Sequence, residues 1–279
     1  MDTDIAKSRL VDNIKGVSVN IPANLILEEI DSGIASLIFD RAERKNAIGK
    51  KFLNEFSNAL ESVRNNKDVR VLIVQSNVPK TFCAGADLKE RMEMPQNEVD
   101  SFVHLLRTTF NNLSTLPIPT ISVIDGVALG GGLEIAMATD FRIAGSSALM
   151  GLTEAKLAII PGAGGTQRLP RIVGVAKAKE LIFTGRKLNS VEAKEIDLVS
   201  YAVEGSGVQK ALELAREILP NGPISIKMAK IAIDKGSELD INSGLSLEQT
   251  CYGNIIPTKD RIEGLTAFKE KRTPVYKGE

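Results

Sequence analysis

Two runs of this chain are too apolar to be anything but strands covered on both faces. Val69-Arg-Val-Leu-Ile-Val74 and Thr120-Ile-Ser-Val-Ile124 are rich in β-branched residues and carry no charge apart from Arg70. Small residues follow each: Thr81-Phe-Cys-Ala-Gly-Ala-Asp87 after the first, Asp125-Gly-Val-Ala-Leu-Gly-Gly-Gly-Leu-Glu134 after the second. Helical spacing comes next in both cases, over residues 98–116 and then 133–139, and Phe141-Arg-Ile-Ala144 reads as a third short strand. Strand, loop and helix therefore alternate, which indicates an α/β core. The loops leaving such strands are where these folds place chemistry.

Upstream, residues 25–30 and 34–39 alternate around the turn Asp31-Ser-Gly33 and read as a β-hairpin. A charged loop, residues 40–46, precedes a helix over residues 50–65, in which Phe52, Leu53, Phe56, Leu60 and Val63 recur at helical spacing. Residues 1–23 read as weakly ordered. After Pro170 the pattern becomes helical throughout, with segments at 175–183, 190–195, 208–219, 224–235, 243–253 and 259–271. Ser190 and Thr258 look like helix-capping residues. The expected division is a segment 1–23, a core 24–221 and a helical region 222–279.

Lys and Arg number 35 and Asp and Glu 35, so the net charge is zero and gives no global attraction to nucleic acid or to an anionic membrane surface. No apolar run approaches the roughly 20 residues of a membrane span, and the N-terminus carries neither a signal-peptide pattern nor an Arg-rich, acid-poor transit pattern. The two cysteines, Cys83 and Cys251, have no metal-ligand spacing, and no metal is expected. The one histidine, His104, lies in an amphipathic helix and has no nucleophile beside it in sequence, which leaves no Ser–His or Cys–His arrangement.

The glycine-dense stretch 125–168 is the candidate site. Its glycines do not fit a dinucleotide-binding fingerprint, which needs Gly-x-Gly-x-x-Gly soon after the first strand. Gly162-Ala-Gly-Gly-Thr-Gln167 lacks the lysine of a phosphate-binding loop. Gly130 to Gly132 would make a tight strand-to-helix turn equally well. Because a helix follows, however, their N–H groups point out of a helix N-terminus, where negative charge is favoured. Glu134 and Glu154 stand among aliphatic residues and glycines, an expensive place for a carboxylate without a partner or a task. Taken singly, Glu134 could be a first-turn helix acid and Glu154 a surface acid. The second small-residue loop, residues 84–87, makes the combination more specific. Two such loops can aim two N–H groups at one oxyanion, and removing one such donor typically costs roughly 3 kcal/mol.

Four motifs together resemble the crotonase (enoyl-CoA hydratase/isomerase) superfamily. They are Ala84-Gly-Ala-Asp-Leu-Lys-Glu90, Gly126-x-Ala-Leu-Gly-Gly-Gly-x-Glu134, Glu154 twenty positions later, and Pro161-Gly-Ala-Gly-Gly-Thr-Gln-Arg168. The similarity runs from about Leu25 to the C-terminus. It implies a ClpP/crotonase-like α/β fold, a spiral of ββα units in two roughly perpendicular sheets with a C-terminal helical trimerisation region, in homotrimers often paired into hexamers. It places a thioester oxygen between the N–H groups of Ala86 and Gly131, the acid/base pair at Glu134 and Glu154, and a water-orienting N–H at Gly162. Coenzyme A contacts fall to Ala84, Asp87, Leu88 and Lys89, and to Phe268 and Lys271 of a neighbouring subunit. No separate cofactor is implied, since coenzyme A is part of the substrate. The implied reaction is syn addition of water to a 2-enoyl-CoA. Relatives with other chemistries commonly lack one glutamate, and both are present here.

Further stretches, among them Ala155-Lys-Leu-Ala-Ile-Ile-Pro161 and Ile256-Pro-Thr-Lys-Asp-Arg261, are similar to the methylglutaconyl-CoA hydratase branch, whose reaction belongs to leucine degradation. Glu90-Arg-Met-Glu-Met94 leans toward the sister enoyl-CoA hydratase domain-containing proteins. General short-chain hydration in β-oxidation is the alternative. The mitochondrial matrix is the implied compartment in a eukaryote, the cytoplasm otherwise. One relative in that branch binds AU-rich RNA through a lysine row at four-residue spacing. Here Lys50 is followed at those steps by Asn54 and Asn58, leaving only a patch of Arg41, Arg44, Lys45 and Lys51, so RNA binding is expected to be weak.

Overall fold

The computed structural model describes residues 25–279; the expectation of weak order over residues 1–23 lies outside them. β1 (Leu25–Asp31) and β2 (Ile34–Phe39) form the expected antiparallel hairpin, with Leu25 opposite Phe39 and an irregularity between Glu29 and Asp31. Every residue of β2 is buried. The charged loop contains a short 3-10 turn, Ala42–Arg44. α1 (Lys50–Asn65) buries the five apolar residues whose spacing announced it. β3 (Val71–Ser76) pairs parallel with β2.

Next come β4 (Thr81–Cys83), α2 (Leu88–Glu93), α3 (Gln96–Ser114), β5 (Thr120–Ile124), β6 (Val127–Leu129), α4 (Gly131–Met137), β7 (Phe141–Ala144) and β8 (Leu149–Gly151). A 3-10 turn, Glu154–Leu157, leads to α5 (Gly165–Val173) and α6 (Val175–Thr184). β9 (Leu188–Asn189), α7 (Ser190–Glu195), β10 (Tyr201–Ala202), α8 (Val208–Ile218), α9 (Pro223–Gly236), α10 (Ile241–Gly253) and α11 (Lys259–Glu270) complete the chain.

The strands form two sheets. One has the order β1-β2-β3-β5-β7-β10 and is parallel apart from the β1 edge. The other has the order β4-β6-β8-β9, with β4, β6 and β8 mutually parallel and β9 antiparallel at its edge. Phe39 of β2 ties the two together. Its ring lies 5.2 Å from that of Phe52 and 5.7 Å from that of Phe56 on α1, and 5.3 Å from that of Phe82 on β4. All four rings are fully buried. Asn46, in the left-handed conformation at φ 56°, closes the same corner: it accepts from Arg41 N and donates to Ser76 Oγ and Phe82 O.

Two expectations need correction. The chain after Pro170 is not wholly helical, because β9 adds to β8 and β10 to β7; strands of two residues are too short to leave a period in the sequence. The cap of α7 is Asn189, not Ser190: Asn189 Oδ1 accepts from Glu192 N while the Glu192 carboxylate accepts from Asn189 N, a complete capping box. Thr258 caps α11 as expected.

The chain divides into two compact units, residues up to Leu116 with Thr120–Leu212, and Pro117–Pro119 with Glu213–Glu279. The sequence pattern puts the division at residues 221–222. In the second unit α9 and α10 pack at Gly236 and Gly244, and Lys230 Nζ donates to Ile118 O at 3.0 Å. Asp260 fixes the C-terminal tail by accepting from Lys277 N and Gly278 N, each at 2.8 Å. No helix among the described residues is long and apolar enough to cross a membrane.

Candidate active site

Three parallel strands of the smaller sheet deliver the site. β4, β6 and β8 lie side by side, with Cys83 opposite Ala128 and Leu129 opposite Gly151. Parallel strands end on the same edge of their sheet, so the segments that follow emerge together: residues 84–87 from β4, 130–134 from β6 and 152–154 from β8. Gly130 N donates to Gly151 O, which carries the β6–β8 pairing one step further.

Glycine is required where the first turn of α4 meets the end of β4. A Cβ on Gly132 would lie 2.2 Å from Cys83 O, a distance no side chain tolerates. Gly85, at φ 98°, brings its Cα to Gly131: a Cβ there would sit 2.8 Å from Leu129 O and 3.7 Å from Gly131 N. The loop after β4 is pinned from its other side. Ile48 N donates to Gly85 O and Asp87 N donates to Ile48 O, so the N–H of Ala86, between them, faces away from Ile48. No carbonyl among the described residues takes up the Ala86 or the Gly131 N–H. Both residues are partly accessible. Adjacent loops thus present two N–H groups with no internal acceptor, one of them at a helix N-terminus.

The two glutamates occupy unequal surroundings. Glu134 is 3% exposed, and its Oε1 accepts from Ala163 N at 2.8 Å and Gly165 N at 2.7 Å. Gly165 opens α5, so the carboxylate caps that helix. Burial dominates and leaves the Glu134 pKa raised, although both N–H donors and the charges of Arg168 and Arg107 oppose it. Glu154 is 9% exposed, and its Oε2 has no hydrogen-bond partner among the described residues. Its carboxylate faces Gly130, where a Cβ would come within 3.1 Å of Oε1. Burial first, and the Glu134 charge second, push its pKa up to about 7. Both carboxyls are raised by burial, but only Glu134 receives N–H donors that favour its charged form, an inequality suited to paired acid and base work.

The structure brings Ala84, Ala86, Asp87, Gly131, Glu134 and Glu154 together on this edge. Asp87 is buried, caps α2 by accepting from Glu90 N and pairs with Arg41 at 3.6 Å, so its carboxylate holds the loop. Leu88 and Lys89 open α2 and are exposed. Gly162 leads into the loop that holds Glu134; its carbonyl accepts from Arg107. Phe268 and Lys271 belong to the second unit, at the end of α11, and both are exposed. His104 is exposed on α3, and burial pushes the Cys83 thiol up to about 12, where it is inert. In the basic patch Lys50 pairs with Glu98, Lys51 with Glu55, and Arg41 with Glu43 as well as Asp87.

Sequence reasoning assigned no role to the Ala163 and Gly165 N–H groups or to Arg107 and Arg168. The first two had a legible signal, since Gly162 to Gly165 precede a helix. The arginines had none, because each acts across a long stretch of chain.

The profile of the family described as Enoyl-CoA hydratase/isomerase matches residues 29–279. A human methylglutaconyl-CoA hydratase, mitochondrial, is 53% identical over 258 residues, 91% of this chain and 76% of the relative. The mouse enoyl-CoA hydratase domain-containing protein 2, mitochondrial, is 52% identical over 253 residues, 89% of this chain and 86% of the relative. The crystal structure of an enoyl-CoA hydratase from Bacillus anthracis matches with a TM-score of 0.89 at 47% identity, covering 92% of this chain and 100% of that one.

Proposed function

Because the chain belongs to the enoyl-CoA hydratase/isomerase family, we propose that it adds water across the double bond of a 2-enoyl-CoA, with methylglutaconyl-CoA the preferred substrate. The thioester oxygen accepts from the N–H groups of Ala86 and Gly131. Glu134, ionised, takes a proton from a water whose oxygen bonds to Cβ. The electron pair of the double bond moves onto the thioester as an enolate, and the two N–H dipoles stabilise its oxygen. Glu154 then gives its proton to Cα, and proton exchange between the two carboxyls and solvent restores the starting state. Both glutamates serve one face of the substrate, so addition is syn. Gly162 N–H helps orient the water.

The observation that carries this reading is the unequal pair: Glu134 bonded to two N–H groups, Glu154 with an unpartnered oxygen and a pKa of about 7. For coenzyme A itself, Lys89 and Lys271 of a neighbouring subunit suit the phosphates and Phe268 the adenine, with Ala84 and Leu88 lining the approach. Assembly into a trimer, or a pair of trimers, is supported by the apolar residues the second unit exposes, including Ile233, Ile241, Tyr252, Ile262, Leu265 and Phe268. The mitochondrial labels of the relatives support the matrix as the compartment in a eukaryotic cell.

The substrate is tested by comparing kcat/KM for methylglutaconyl-CoA with that for crotonyl-CoA. Preference for the former is expected; a strong preference for crotonyl-CoA would make general short-chain hydration the better reading.

A further inference from the structure

Arg107, whose charge acts on Glu134, forms no ion pair among the described residues. Arg107 lies on α3, one turn beyond Val103. Its Nε and Nη2 donate to Gly162 O at 3.3 and 3.2 Å, and a Cβ built on Gly162 would lie 3.4 Å from Val103 Cγ1. This face of α3 therefore lies on the loop whose Ala163 and Gly165 N–H groups hold Glu134. Arg168, the other nearby arginine, is spent inward, on Ala163 O at 3.1 Å and Ser114 Oγ at 3.3 Å. Arg107 is exposed, uses two of its donors on one carbonyl and forms no ion pair among the described residues. A guanidinium with donors to spare suits a planar oxyanion, and a carboxylate is the one a dicarboxylic acyl chain carries.

The layout gives this cation a place along the substrate. The thioester end sits at Ala86 and Gly131, and the reacting carbons sit at Glu134 and Glu154. The Gly162 loop, with α3 against it, is the one that binds the Glu134 carboxylate, and the charge of Arg107 acts on that carboxylate. We propose that Arg107 sets acyl specificity by receiving the distal carboxylate of a dicarboxylic 2-enoyl-CoA. This rests on the hydration reading above. A neutral acyl end would leave the arginine without an anion and gain nothing from it.

The test replaces Arg107 by methionine and by lysine and measures kcat/KM for methylglutaconyl-CoA and for crotonyl-CoA. Arg107 also touches Gly162, so some loss common to both substrates is built in, and the ratio is the readout. Arg107→Met should lower the preference for the dicarboxylic substrate by at least about tenfold, the usual range for a lost hydrogen bond to a charged group. Arg107→Lys should recover part of it. Inhibition constants for glutaryl-CoA and butyryl-CoA, which do not react, should shift in the same ratio. An unchanged ratio in Arg107→Met would overturn the proposal and leave Arg107 as a support for Gly162. A wild-type enzyme that prefers crotonyl-CoA would instead remove the substrate reading on which the proposal stands, whatever the variants do.

Discussion

Replacing Glu154 by glutamine should make the protein more stable while disabling it. Burial and the neighbouring Glu134 charge raise the Glu154 pKa from 4.5 to about 7, the opposite sign to a salt-bridged acid. Below pH 4.5 the carboxyl is protonated in folded and unfolded chains alike and costs nothing. Between pH 4.5 and about 7 the unfolded chain ionises first, so stability falls as pH rises; above about 7 the full cost stands. That shift corresponds to roughly 3 kcal/mol at most, and the remaining solvent access of the group lowers the expectation to roughly 2 kcal/mol. Glutamine is neutral throughout and nearly the same shape. Glu154→Gln should therefore exceed the wild type by only about 0.5 kcal/mol near pH 5 and by roughly 2 kcal/mol at pH 8, the latter about 4–8 °C in Tm for a chain of this size. Urea unfolding at fixed protein concentration, from pH 5 to 8.5, measures this difference without confusing it with assembly. A variant less stable than the wild type at pH 8, or a difference independent of pH, would mean that the buried Glu154 charge carries no such cost.

Two substitutions test the frame around the site. Gly132→Ala would set a Cβ 2.2 Å from Cys83 O, backbone against backbone. A loss of roughly 1–3 kcal/mol in denaturant unfolding is expected, together with a fall in kcat as the adjacent Gly131 N–H moves; an alanine variant as stable and active as the wild type would contradict the close approach. Asn46→Ala strips one acceptor and two donors from a fully buried side chain. It should destabilise by roughly 2–4 kcal/mol in the same assay, since each buried group left unpaired costs about 1–3 kcal/mol, and a change too small to measure would sink that account.

The strands and helices that bury one long face were legible. α1 was bounded by the spacing of Phe52, Leu53, Phe56, Leu60 and Val63, and β5 and β7 by their apolar runs. What escaped was the smaller sheet. β4, β6, β8 and β9 have two or three residues each, too few for a period to register, and only their pairing makes them strands. That omission matters most at the candidate site, because this sheet brings its three segments to one edge. The motifs identified Glu134, Glu154, Ala86 and Gly131 as candidates. They could not reveal that Glu134 takes its hydrogen bonds from residues 163 and 165, or that Arg107 on α3 reaches the same loop, since sequence separation hides both contacts.

The proposed hydration needs Glu134 and Glu154 to work as one acid/base unit against a backbone oxyanion hole. Steady-state hydration of a 2-enoyl-CoA by Glu134→Gln, Glu154→Gln and the double variant measures it directly, by loss of the conjugated thioester absorbance. Each single variant should lose about a thousandfold in kcat, within the usual range for acid/base groups, with a much smaller change in KM. The double variant should fall little further, because groups acting in one step are not additive. Turnover near the wild-type rate in either single variant would contradict the account.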